Sequence, residues 1–109
     1  MKKKIYIGAK QTELAVNAAT PLFFRSVFGK DIYSLSLDLS DDTGEALDTF
    51  TRLCFIMCMQ AKKEDVRSMG EDDFVAWLEN YLPYDMALAV PEVAEFYMTQ
   101  TQPKVKPKN

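Results

Sequence analysis

The chain has 109 residues, 48% of them hydrophobic and 27% charged, with a formal net charge of -3. That is the size of one domain with enough apolar material to bury a core, which excludes an intrinsically disordered chain. The acidic balance argues against nucleic-acid binding, which needs a basic face to displace counterions from phosphates.

No apolar run is long enough to span a bilayer. The lysine-rich start turns polar at "IYIGAKQTE", too soon for a signal peptide. The expectation is a cytoplasmic protein without membrane contact, in which Cys54 and Cys58 stay reduced.

In chain order, "KKKIYIGAKQTELAVNAA" predicts a hairpin over about 3–17. Ile5 and Ile7 alternate with Tyr6, Leu14 and Val16 alternate with Ala15, and the turn falls between Gly8 and Thr12. Thr20 suits an N-cap, and Pro21 suits the first helical position, where its missing N–H costs nothing. Phe24, Val27 and Phe28 then share a face, and Gly29 suits the left-handed end of that helix. The stretch Tyr33–Leu39 alternates like a strand, while Ile32, Leu35 and Leu39 also fit helical spacing, so both readings stand.

"DDTGEALDTFTRLCFIMCMQAKK" is the clearest helix, with Asp42 as N-cap and Glu45 in a capping-box position. Its apolar stripe runs through Leu47, Phe50, Leu53, Cys54, Met57, Cys58 and Ala61. "EDDFVAWLENYL" predicts another helix, with Phe74, Trp77, Leu78 and Tyr81 on one face and Pro83 as its stop. "YDMALAVPEVAEFYMTQ" predicts a last helical region, kinked or broken at Pro91. The fold class is therefore mainly α (α+β). A short N-terminal β-hairpin precedes a cluster of four to five helices, over about 21–99, in one domain of residues 1–100. A disordered basic tail is expected at 101–109.

Histidine is absent, which removes the commonest general base and metal ligand. Cys54 and Cys58 could supply half a zinc site, but no second pair of soft ligands exists, so core cysteines are the favoured reading. The acidic triplet Glu71, Asp72 and Asp73 opens a helix, where negative charge complements the dipole. The acids between Asp38 and Asp48 lack the spacing of a Ca²⁺ loop. No enzyme, metal or cofactor is expected. The apolar supply is more informative: six methionines, seven phenylalanines, five tyrosines and one tryptophan. Phe55, Ile56 and Met59 lie off the main stripe of the central helix. Either that helix is buried on every side, or one side meets a partner.

The order of these features resembles the tail assembly chaperones of long-tailed bacteriophages and prophages of Gram-positive bacteria. The resemblance rests on the "x-I-x-I-G" hairpin and on "A-A-T-P-L-x-x-R-x-x-F-G-K-D-I" from Ala18 to Ile32. It continues with the Cys/Met-rich helix from Leu53 to Ala61, "M-x-x-x-D-F-x-x-W-L" from Met69 to Leu78, and the segment from Val90 to Tyr97. It implies a non-enzymatic protein that holds the long, helical tape-measure protein soluble in the host cytoplasm. Tail tube subunits would then displace it, and it would be absent from the virion. Self-association is a further implication. The residues expected to meet the client or a sister subunit are Phe55, Ile56, Met59, Trp77 and Tyr81. The main alternative is a head–tail joining protein retained in the particle. A small helical regulator fits poorly, because no basic recognition helix is present.

Overall fold

The computed structural model describes residues 1–101. Strands β1 (Lys2–Ile7) and β2 (Lys10–Ala15) form an antiparallel hairpin in which Ile5 pairs with Thr12 and Lys3 with Leu14. The turn is tighter than the sequence predicts, with only Gly8 and Ala9 between the strands. Gly8 takes the positive φ of 62° that two-residue hairpin turns need. Period two then puts Ile5, Ile7, Thr12 and Leu14 on one buried face and Lys4, Tyr6 and Gln11 towards solvent.

Four helices follow: α1 (Thr20–Phe28), α2 (Glu45–Ala61), α3 (Glu71–Leu78) and α4 (Pro83–Thr101). Short 3₁₀ turns lie at Ile32–Ser34 and Val66–Ser68. Helix α2 is the centre. From Leu53 to Met59 seven consecutive residues are buried, because β2, α1, α3 and α4 all pack on it. A helix apolar all round needs such enclosure. The hairpin is held between α2 and α4, which meets the need of a lone two-stranded ribbon for outside support.

Several local expectations are corrected. Thr20 does not cap α1 through its hydroxyl. It is fully buried, accepts from the Asn17 N–H (3.0 Å) and donates to Gln60 Oε1 (2.7 Å). Asn17 Oδ1 in turn accepts from the Ala19 N–H (2.8 Å) and from Gln60 Nε2 (3.2 Å), so a polar knot ties the hairpin exit to α1 and α2. Gly29 does end α1 in the left-handed conformation, φ 69°, with its N–H donating to the Arg25 carbonyl. The stretch from Leu35 to Gly44 is neither strand nor helix. Asp38, Asp41 and Thr43 side chains accept backbone N–H groups two residues on, and these local turns win over both periodic readings.

Glu45 forms no capping box, because Gly44 is the N-cap residue and the Glu45 carboxylate accepts from the Ser36 N–H. Helix α3 ends at Leu78 rather than running to Pro83, and Pro83 opens α4 instead of stopping its predecessor. Helix α4 continues through Pro91. The Ala87 carbonyl that Pro91 cannot serve belongs to an exposed turn, where water can bond it. Thr101 is still helical; the rest of the expected tail lies outside the described residues.

A candidate docking surface

The five residues expected to meet a partner separate cleanly. Phe55 and Ile56 have at most 1% of their surface exposed, and Met59 and Trp77 are also buried. The expectation of an outward side on α2 is therefore corrected: Phe55, Ile56 and Met59 belong to the chain's own core. Phe55 lies 5.5 Å from Trp77 and 5.7 Å from Phe74, ring centre to ring centre, in a cluster that also takes in Phe24 and Phe28. Tyr81 is half-buried at the edge of that cluster, 5.2 Å from Trp77, with the Lys10 ammonium 5.2 Å over its ring. Of the five, Tyr81 alone borders the groove described next.

That groove is apolar and holds about 300 Å³. Leu47 and Thr51, one turn apart on α2, form one wall. Leu78, Tyr81 and Leu82 form the end, and Pro83, Met86 and Ala87 of α4 form the other wall. Leu82 on the rim is 67% exposed, and Leu88, beside Ala87 on the outer side of α4, is 61% exposed. Tyr84 is likewise exposed, and it shares an outer face of α4 with Leu88 and Pro91 at spacings of four and three. The inner face of α4, with Met86, Ala89, Val90, Val93 and Tyr97, is buried. The first turns of α4, up to Pro91, thus carry exposed apolar side chains beside the buried face.

Sequence reasoning placed Leu47 in the core stripe, and it stands half-open at the groove instead. It passed over Leu82, Tyr84 and Leu88 altogether. The readable signal was the composition of "YLPYDMALAVP": Asp85 is the single charged residue in the first two turns of α4, which leaves more apolar surface than one buried face needs.

Burial governs the titratable groups at the core. Burial pushes the Cys54 thiol far above its ordinary range, with the neighbouring Cys58 adding to the effect. Burial also raises Cys58, against the opposing pull of Lys62 and of the Trp77 indole N–H. The buried indole nitrogen makes no hydrogen bond among the described residues. Burial, with Tyr33 nearby, pushes the Tyr97 hydroxyl up to about 12. Among the described residues no three metal-ligating side chains gather, and no helix is long and apolar enough to cross a membrane.

No family model, no curated protein and no solved structure matches this chain.

Proposed function

We propose that this chain is a non-enzymatic tail assembly chaperone that holds an amphipathic helix of the tape-measure protein on the groove between α2 and α4. One observation carries the reading: the apolar groove is lined by Leu82, Pro83 and Ala87, and the exposed Tyr84 and Leu88 follow Pro83 and Ala87 directly along α4. A helix laid there would anchor side chains at i, i+3/i+4 and i+7. Covering each exposed leucine or tyrosine contributes about 1.5–3 kcal/mol at full burial, before the costs of association. Single sites of that strength release easily. Many copies along one long client give avidity without a tight individual contact. The ordered motifs from Ile5 to Tyr97 that resemble such chaperones support the same reading.

The protein would act in the cytoplasm of the infected bacterium and leave when tail tube subunits assemble. The test is co-expression with the tape-measure protein that this reading expects downstream of the gene. Client solubility that depends on this chain, and co-purification of the two, are expected. Mass spectrometry of purified virions separates the head–tail joining alternative: a chaperone is missing from the particle, and a joining protein is present in stoichiometric amounts.

A further inference from the structure

The charge around the α2–α4 groove is largely of one sign. From Ser68 to Thr101 the chain carries seven carboxylates and neither lysine nor arginine. On the other wall, α2 opens with Glu45 and Asp48 in its first turn, and its first cation is Arg52. Arg52 is already bound to Asp48 and Glu71. Lys10 approaches the groove at Tyr81, where it lies 5.2 Å over the ring and donates to the Asn80 carbonyl at 3.3 Å.

Several of these acids are engaged within the chain. Glu92 pairs with Lys3 at 3.6 Å, and Asp73 accepts from the Gly70 N–H at 2.9 Å. Asp85 is half-buried against the hairpin turn, its Oδ2 2.6 Å from where a Cβ on Gly8 would stand. Glu79 and Glu95 differ: both are exposed, and among the described residues neither has a cation within ion-pair distance. Glu79 follows Leu78, which lines the end of the groove. Glu95 lies seven residues after Leu88 and four after Pro91, on the same outward side of α4. Along the chain, the exposed Leu82, Tyr84 and Leu88 thus lie between two unpaired carboxylates.

We propose, resting on the reading of this groove as a helix-binding site, that the helix it takes is basic, with lysine or arginine flanking its apolar anchors. The apolar contacts hold the helix, and the charges select it. A helix with acidic polar positions would bring like charges against Glu79 and Glu95, with no cation paired there to offset them. The selection acts between exposed groups, so salt weakens it.

The experiment is fluorescence anisotropy with the full chain and three labelled synthetic peptides. Two are helices with leucines at i, i+3, i+4 and i+7 spacing, one with lysine and the other with glutamate at its polar positions. The third scrambles the lysine peptide so that it has no apolar face. At low salt the lysine helix should bind roughly tenfold or more tighter than the glutamate helix or the scramble, and the gap between the two helices should close at high salt. Glu79→Lys with Glu95→Lys, both at exposed sites, should remove that preference. Leu82→Ser with Leu88→Ser should weaken the binding of both helices. Equal binding of the two helices, lost together in the leucine variant, would overturn the charge selection and leave the groove standing. Binding of neither helix would overturn the groove itself and the selection with it. So would lysine-helix binding that survives the leucine variant or that the scramble matches.

Discussion

Arg52 on α2 donates from Nη1 to Glu71 Oε1 at the start of α3, 2.7 Å away, while its guanidinium lies 4.8 Å from the ring centres of both Phe28 and Phe74. Nε donates to Asp48 one turn back at 3.0 Å. One side chain therefore lids the aromatic cluster, joins two helices and satisfies two carboxylates. Partial burial pulls the guanidinium's pKa down, but the bonds to Glu71 and Asp48 outweigh it and the net shift is upward.

The same bond holds Glu71 below its ordinary carboxylate value. A depressed folded pKa means stability that is complete above the unfolded value and is lost as pH falls through the folded one. Urea melts from neutral pH to about pH 3 should show this acid loss, and Glu71→Gln should reduce it. The carboxylate is half exposed, so solvent screening limits its share to about 1 kcal/mol or less. Arg52→Lys should cost about 1 kcal/mol beyond the Glu71→Gln loss, because an ammonium cannot lie flat between two rings.

Two helix ends make opposite predictions. Gly29 closes α1 at φ 69°, and Lys63 sits beyond α2 at φ 59°. Around Lys63 the Glu64 N–H donates to the Met59 carbonyl and the Lys63 N–H to that of Gln60, the paired bonds of a Schellman ending. A lysine in that conformation carries a strain that glycine lacks. Thermal melts should place Lys63→Gly above wild type, by about 0.5–1 kcal/mol, and Gly29→Ala below it by a similar amount.

The thiols give a third check. Cys54 and Cys58 are buried and raised in pKa, so a thiol reagent at neutral pH should label them only as fast as the chain opens. Because burial holds their folded pKa above the ordinary thiol value of about 8.5, their contribution is complete below that pH. It is lost as pH rises beyond it, when the unfolded thiols ionise and the folded ones resist. Rapid labelling of the native chain, or alkaline stability unaffected by Cys54→Ala, would contradict this.

Hairpin, helices and most of the core were legible, because Ile5, Ile7, Phe24, Phe50 and Leu53 follow clean periods of two or 3.6. The enclosed centre of α2 was legible as one of two options. The periods say that Phe55, Ile56 and Met59 are apolar, but not whether a neighbour within the chain or outside it covers them. Residues 35–44 were not legible, since Asp, Ser and Thr side chains there compete with any ladder for the backbone. The groove escaped notice for a related reason. Tyr84 and Leu88 are as apolar as the buried Met86 and Val90 beside them, and only the placement of α2 decides which side is left open.

Charging Met59 would disrupt the core and says nothing about a partner. The most direct test places charges where the chain is open: Leu82→Asp with Leu88→Asp, co-expressed with the tape-measure protein. Both sites are exposed, so the melting temperature of the variant should stay close to wild type. The account predicts that the folded variant leaves the client insoluble, while the wild-type chain keeps it in solution. A folded variant that solubilises the client as well as wild type would contradict the assignment of the α2–α4 groove as the client surface.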